Sequence, residues 1–369
     1  MIRSRMVRFT LATVVFLTVL LVLVLLYLKI YGKNVLEKVL SSMLGTKVEF
    51  TGLTINPDRY ALKFKGVKLP EKIDFKDRSI FSAKNFTVFL DKRELKEKRK
   101  IAIDEILIEE GVFTVERNRA GVLNISGLPG KKRSIQTGVA YANEPEPTGL
   151  YSFASSIRKL IIKDSVIEFK DHFIYDVPFI VTCEDFSADI TSMRKPLKKT
   201  GYIPIFCELS CTIPSDRYGK GEIAIDTDLS VYKYMYDADM TVTLRRVDLM
   251  RFFPYIEKYT PFSISDGLAS SDTKFELRNN RINSITNVVF HRLRLVSEPG
   301  SRDGQFLQTS VSRLLPYLTS RQGEILFDFV IRGPANQPEV SLGPQVRSAM
   351  SSAVMGEVGS ALQGLQGLQ

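Results

Sequence analysis

The sequence predicts a mainly β protein with a few helices. One N-terminal transmembrane helix leads into a long curved antiparallel sheet, groove-like and interrupted by short helices. Two observations carry this prediction. An uncharged apolar run lies near the N-terminus, and much of the remaining chain alternates apolar and polar residues with period two, as half-buried strands do. About 340 residues follow the apolar run, enough for one large or two moderate domains.

The apolar run extends from Phe9 to Leu28, contains no charged side chain and lies between Arg8 and Lys29. At ~1.5 Å per residue it spans roughly 30 Å, which is the thickness of the hydrocarbon core of a bilayer. The alternative is a cleavable signal peptide, whose apolar stretch is about 7–15 residues long and ends at a small-residue cleavage site. No Ala-x-Ala pattern follows this run, so we predict an uncleaved anchor. Basic residues flank both ends, and the positive-inside rule favours a cytoplasmic N-terminus only mildly.

The change of period along the chain predicts the order of its segments. Helical spacing of apolar residues follows the anchor and ends at Gly45, and alternation takes over after that glycine. A stretch rich in Gly, Pro, Lys and Glu then interrupts the alternation. The predicted segments are a cytoplasmic stub (1–8), the transmembrane helix (9–28), a juxtamembrane helix (29–45), a first β region (46–125), a linker or loop (126–150), the main β-groove region (151–343, with helices near 248–259 and 305–319) and an amphipathic tail (344–369).

The longest alternation lies in three central segments, Tyr202–Ile213, Glu222–Leu229 and Tyr232–Arg245. Seven successive apolar positions on one side of the third segment predict a strand over about 40 Å long. Such strands have one apolar face and one polar face. If the first and third strands were neighbours, their apolar side chains would form one floor. The candidate lipid-binding residues on this floor are Ile203, Ile205, Cys207, Leu209, Ile213, Tyr234, Tyr236, Met240, Val242 and Leu244.

A continuous apolar face of this size has to be covered. In one alternative, the two predicted helices and the 126–150 loop close over it, giving a core without a ligand. In the other, the face remains an open trough that hosts acyl chains. Strand length favours the trough, because helices of moderate size cannot cover so many long strands.

The net charge of +10 invites a nucleic-acid interpretation. The basic residues, however, cluster in apparent loops at 91–100 and 193–200, where they are typical of solvated turns. A weaker alternative is attraction to anionic lipid headgroups. We therefore expect no nucleic-acid partner.

The three cysteines are too few for a disulfide framework. Cys207 and Cys211 lie four residues apart on one predicted strand, about 13 Å from each other, which is too far for a bridge. Cys183 could meet one of them across neighbouring strands, although we expect buried free thiols. The redox compartment and the disulfide state stay open.

The chain is poor in the convergent titratable groups that catalysis needs. It has two histidines, His172 and His291, and no His, Cys or carboxylate cluster at metal-ligand spacing. Nucleotide-binding glycine motifs and the G-x-S-x-G motif are absent. The sequence therefore predicts a protein that is not an enzyme and that uses no cofactor or metal.

Three stretches, taken in order, carry a family resemblance. The first is Val48–Leu69 leading into Ile101–Ile125, the second is Ile161–Ser187 with its strand DSVIEFKD, and the third is Phe253–Gly343 with RQGEI and RGPANQPEVSLG. Together they resemble the AsmA-like superfamily of bacterial envelope proteins, in its large branch catalogued as a domain of unknown function. The similarity covers most of the chain after residue 45.

This resemblance implies a single-pass anchor in the bacterial inner membrane with the body in the periplasm. Relatives such as TamB and YhdP form long curved sheets whose apolar groove is associated with lipid transport between membranes. The implied function is to bind phospholipid or another envelope lipid in the groove and to contribute to lipid transport or outer-membrane biogenesis. The implied partners are the membrane, the lipid, and copies of the protein or another envelope protein that extend the groove. The alternative is an envelope scaffold or assembly factor that binds no lipid and acts through its sheet edges.

Overall fold

A computed structural model describes the central body of the chain. The described residues are 33–34, 37–38, 41, 47–70, 79–100, 102–124, 149–175, 177–259, 263–296, 305–306, 309–310, 318–344, 346–348 and 351–352. The predicted stub and transmembrane helix lie outside them, as do most of the predicted 126–150 linker and most of the 344–369 tail.

The described chain is mainly β. Its strands are β1 (Gly52–Asn56), β2 (Ala61–Pro70), β3 (Ser79–Leu90), β4 (Ile103–Arg117), β5 (Lys159–Asp171), β6 (Phe179–Ser192), β7 (Ile203–Ser215), β8 (Gly219–Val231), β9 (Tyr236–Asp248), β10 (Ser263–Arg278), β11 (Arg281–Val296), β12 (Gln305–Phe306), β13 (Thr309–Ser310), β14 (Ile325–Pro334) and β15 (Glu339–Leu342). The helices are α1 (Lys92–Lys98), α2 (Gly149–Ser156) and α3 (Phe253–Tyr259), and a 3-10 turn (Leu249–Phe252) leads into α3. The described residues between 33 and 41 are also helical.

Thirteen strands form one sheet in chain order, from β1 to β11 and then β14 and β15. At about 4.8 Å between neighbours, the sheet extends roughly 60 Å from its first strand to its last. All its neighbouring strands are antiparallel except β4 and β5. The prediction of a fully antiparallel sheet is wrong at this pair. The long connection between these strands, which includes α2, returns to the end where β4 began, so β5 runs in the same direction.

The two faces of the sheet differ sharply, and we call them the apolar face and the polar face. On the apolar face, one cross-strand row passes through every strand of the sheet, and all its members but two threonines are apolar. This row is Leu53, Phe64, Phe86, Ile108, Ile162, Ala188, Leu209, Ile225, Val242, Thr273, Thr286, Phe329 and Leu342. One residue along each strand, the corresponding row of the polar face has charged side chains such as Lys63, Asp189, Glu208, Asp226 and Lys274, and its apolar members are Leu107, Ile161, Ile285 and Val330.

Left-handed backbone conformations interrupt several strands. Non-glycine residues with positive φ lie inside β4, β5, β6, β9 and β11, where most side chains disfavour this conformation. They are Glu110, Asp164, Asp185, Arg246 and Arg292. Two glycines well inside their strands, Gly66 and Gly267, also have positive φ, as do Gly219 and Gly333 near strand ends. The ladder shifts register beside several of them, as at a β-bulge. Bulges bend a strand and increase its local twist.

Two predicted elements differ from the structure. The segment predicted as a helix over 305–319 begins with the hairpin of β12 and β13, and residues 311–317 lie outside the described chain. The third central segment starts later than predicted, because Tyr232 to Met235 form a turn closed by the Tyr232 N–H donating to the Met235 carbonyl at 2.9 Å. The strand therefore begins at Tyr236.

Candidate functional site

The predicted floor residues lie on the apolar face of β7 and β9. Ile203, Ile205, Cys207, Leu209 and Ile213 share this face of β7. The predicted residues of β9 lie on the same face, because the strand pairing through β8 places Val242 in line with Leu209.

Strands β7 and β9 are not neighbours, because β8 lies between them. Strand β8 adds a third row to the floor with Ile223, Ile225, Leu229 and Val231. Its alternation in the sequence predicted a strand, but only the register reveals that it belongs to the same floor.

The two tyrosines predicted for the floor lie at its end. Tyr234 is in the β8–β9 turn rather than on a strand, Tyr236 is the first residue of β9, and both are exposed. Together with Leu277 and neighbouring residues of the next hairpin turns, they line an open cavity of about 540 Å³. The aromatic pair therefore marks a recess at the margin of the apolar face.

Helix α2 covers the apolar face at this same end of the sheet. Its Ala154 is fully buried against Ile203, Ile205 and Val231. The Ser192 hydroxyl donates to the Ala154 carbonyl at 2.6 Å and holds the helix on the strands. Ile203 and Ile205, two of the predicted floor residues, are therefore part of a closed core.

Arg194 ties this end of the sheet together from the loop after β6. Its guanidinium donates to Asp91 Oδ2 at 2.7 Å and to Asp104 Oδ1 at 3.2 Å. Asp91 also caps α1 by accepting from the N–H groups of Arg93 and Glu94. The hydrogen bond from Arg194 lowers the pKa of Asp91 below its ordinary value, and the helix N–H groups add to this effect.

At the opposite end, α3 crosses the apolar face towards β5 and β6. The Tyr255 hydroxyl donates to Asp171 Oδ2 at 2.6 Å, and its ring packs edge-on against Phe179 with centroids 5.3 Å apart. Asp171 is fully buried, and Arg117 Nη1 lies 3.5 Å from the same oxygen. The preceding 3-10 turn packs on β10, where Leu249 lies next to Gly267. A short helix thus borders the face at each end of the strands.

Between the two helices, the middle of the face is only partly covered by the described chain. Leu209, Ile225, Met240, Val242 and Leu244 are all half-buried, although they lie far from either edge of the sheet. A second layer packed on the sheet would bury side chains in this position. Measured along the strands, the strip extends over about seven residues, or roughly 23 Å.

The polar face behind this strip is acidic. Asp189, Glu208 and Asp226 lie directly opposite one another on β6, β7 and β8. Like charges in such positions disfavour pairing unless solvent screens them. Lys159 Nζ, at 2.8 Å from Asp189 Oδ2, compensates one of them. The acidic row indicates a solvated surface, in contrast to the apolar strip on the other side.

Among the residues that the structure describes, no group of three or more His, Cys, Asp or Glu side chains is arranged to hold a metal ion. No helix within the described ranges is long and apolar enough to span a membrane, and residues 9–28 lie outside those ranges. The site to be explained is therefore an apolar strip flanked by helices. No protein-family model and no curated protein matches this sequence.

Proposed function

We propose that this protein binds the acyl chains of a membrane lipid on the middle strip of its apolar face. The observation that carries the proposal is the unbroken cross-strand row from Leu53 to Leu342, whose central members are only half-buried. Apolar area that remains in contact with water is unfavourable by about 25 cal/mol per Å². A ligand with hydrocarbon chains would remove that area from water on β7 to β9, where the members of the row are half-buried.

Curvature would turn this face into a groove. The left-handed residues in seven strands support it, since each one bends or twists its strand. The two bordering helices would form the walls, and the recess at Tyr234 and Tyr236 would be one margin where amphipathic tyrosine rings contact a lipid headgroup. The continuous row would let a lipid slide from strand to strand without crossing a polar barrier.

The position of β1 supports a direction for lipid movement along the cross-strand row. β1 follows the predicted anchor at 9–28, so its edge is the part of the sheet nearest the inner membrane, and β15 is the far edge. This orientation rests on the AsmA-like resemblance, which implies a periplasmic body. Because the sheet extends only roughly 60 Å, delivery to a second membrane would require another copy or a partner protein at the far edge.

The alternative, a scaffold that acts through its sheet edges, has less support at the first edge. The outward N–H groups of Val48 and Phe50 donate to Ser41 Oγ at 2.8 Å and Glu37 Oε1 at 3.0 Å. These side chains occupy the positions that a partner strand would need.

The test places a benzophenone amino acid on the full-length chain in cells, in place of Val242 or, as the matched control, Thr241. Val242 faces the apolar strip, whereas Thr241 is exposed on the polar face of the same strand. After irradiation, a lipid adduct at Val242 with none at Thr241 is expected from mass spectrometry. Equal labelling, or no lipid at either position, would contradict the proposal.

A second readout separates an open strip from a closed core. Val242→Asp is expected to keep a thermal unfolding temperature close to that of Thr241→Asp while it loses bound lipid. If the strip were a sealed core, the unpaired buried carboxylate would cost several kcal/mol and the body would unfold.

A further inference from the structure

Two of the three cysteines lie next to each other on neighbouring strands. Cys183 is on β6, and Cys211 and Cys207 are on β7. All three are free thiols and half-buried. The Cys183 and Cys211 thiols are close enough to shift each other's pKa.

The register explains this contact. Cys183 lies opposite Ile167 of β5, and Glu184 lies opposite Thr212 of β7, so Cys183 and Cys211 both point to the apolar face one diagonal step apart. The ladder shifts register just beyond this point, between Glu184 and Ser187, where Asp185 has positive φ. The bulge is what allows the two diagonal side chains to meet.

The interaction between the two thiols shifts their pKa values in opposite directions. The interaction with Cys211 lowers the pKa of Cys183 to about 7, against the effect of burial. The same interaction, together with burial, raises the pKa of Cys211. The thiolate is the reactive form of cysteine, so Cys183 is the first of the two to react near neutral pH.

We propose that Cys183 and Cys211 form a reversible disulfide that joins β6 to β7 on the apolar face. The co-reactant is a disulfide oxidant, R–S–S–R. The Cys183 thiolate attacks one oxidant sulfur, an S–S bond forms and R–S⁻ leaves. Cys211 then loses its proton and attacks the Cys183 sulfur, releasing the second R–S⁻. Two protein thiols are oxidised, one disulfide is reduced to two thiols, and the two protons end on those thiols.

Cys207 does not take part. It lies opposite Ile190 and points to the same face, but it is about 13 Å along the strand from Cys211, beyond the reach of a disulfide. Burial, with the nearby carboxylates of Asp189, Asp226 and Glu208, raises its pKa, so it is also the less reactive thiol. It serves as an internal reference in the test.

The bond would fix the register of β6 against β7 at the bulge and close the loop between them, which carries Arg194. The inference does not depend on lipid binding, because it requires only the two strands and an oxidant. A lipid-free scaffold could carry the same disulfide.

The test equilibrates the full-length protein with oxidised glutathione at pH 8 and then counts alkylatable thiols by mass spectrometry after denaturation. We expect three in the dithiothreitol-reduced protein and one after oxidation. The Cys207→Ser variant makes the mapping unambiguous, because its only linked tryptic product would join peptides 171–194 and 200–217. Oxidised Cys207→Ser should have no alkylatable thiol.

Two alanine variants complete the design. Cys183→Ala and Cys211→Ala should each keep two alkylatable thiols or acquire glutathione, without an internal crosslink. Wild-type protein that retains three thiols, or that carries glutathione on Cys183 without linking to Cys211, would overturn the proposal. A link between Cys183 and Cys207 would overturn it as well.

Discussion

In strands β2 to β6 the apolar face carries a connected set of aromatic rings, whereas in β8 to β11 the same face carries mostly aliphatic and hydroxyl side chains beside the ring of Phe275. Five ring contacts run through the first half, from Phe50, just before β1, to Phe186 of β6, and the last of them reaches across β5. The centroid distances are 5.1 Å for Phe50–Phe64, 6.2 Å for Phe64–Phe86, 6.5 Å for Phe81–Phe86, 4.9 Å for Phe81–Phe113 and 6.0 Å for Phe113–Phe186.

The difference has a consequence for burial. Phe64, Val67, Ala83 and Ile108 are buried in the first half. In the second half, Ile225, Val242 and Phe275 stay half-buried, and hydroxyls such as Thr273 and Thr286 pair with each other at 3.0 Å. The large rings pack against these side chains and contribute to their burial. Smaller side chains leave the face open.

The largest effect is expected from removing one ring in each half. Phe64→Ala should lower the free energy of unfolding by about 3–5 kcal/mol, since Phe64 is buried between two other rings. Phe275→Ala, on the half-buried strip, should lower it by only about 1–2 kcal/mol. Chemical denaturation followed by circular dichroism measures both. Equal losses would mean that the two halves are packed alike and would remove the contrast.

The sequence predicted much of the strip and little of the ring packing. Alternation placed Leu209 on one side with the other apolar residues of β7, and Ile225 with those of β8, because period two is a property of each strand alone. Only the register shows that the two sets share one face. The ring contacts, such as Phe113 with Phe186, join residues far apart in the chain and depend on register. No local pattern encodes that register, least of all beside a bulge.

The errors have equally local causes. Tyr234 fits the alternation by chance, but the turn from Tyr232 to Met235 closes before β9 begins. The left-handed conformation of Glu110 and Asp164 could not be predicted either, because these residue types adopt it only when the surrounding ladder requires it.

A smaller, pH-dependent effect is expected from Arg194, which fastens the loop after β6 to the first half through Asp91. Arg194→Ala should lower the free energy of unfolding by about 1–2 kcal/mol at pH 7, because both groups are only partly exposed. Asp91 has a lowered pKa in the folded state. The ionised Asp91 carboxylate therefore contributes its full stabilisation above its unfolded pKa of about 4. This stabilisation is lost as the pH falls through the lower pKa of Asp91 in the folded state.

The measurement is the stability difference between wild type and Arg194→Ala as a function of pH. The difference should shrink below about pH 4. Lys84→Ala is the control, since the Lys84–Glu110 ion pair is well exposed and its loss should have no measurable effect. A difference that stays constant down to strongly acidic pH would show that Arg194 acts by packing rather than by its charge.

A comparable effect on stability, with a separate effect on association, is expected at the outer edge of the first half. Glu37 and Ser41 accept hydrogen bonds from the Phe50 and Val48 N–H groups and so cover the edge next to β1. At the other end of the sheet, β15 is only four residues long, and its Val340 is 69% exposed. Short edge strands and covered edges both limit strand pairing between molecules.

Replacing both side chains, with Glu37→Ala and Ser41→Ala together, should lower the free energy of unfolding by about 1–2 kcal/mol. It should also produce concentration-dependent association, because two edge N–H groups become free to pair with another chain. Lys33→Ala is the matched control: its Nζ lies 3.9 Å from Glu37 Oε1, so the variant removes an ion pair and keeps both edge hydrogen bonds. Light scattering of detergent-solubilised protein should detect association in the double variant alone. If the double variant stays as monodisperse as Lys33→Ala, the helical segment anchors the sheet without protecting its edge, and the first edge would be as available to a partner strand as the last.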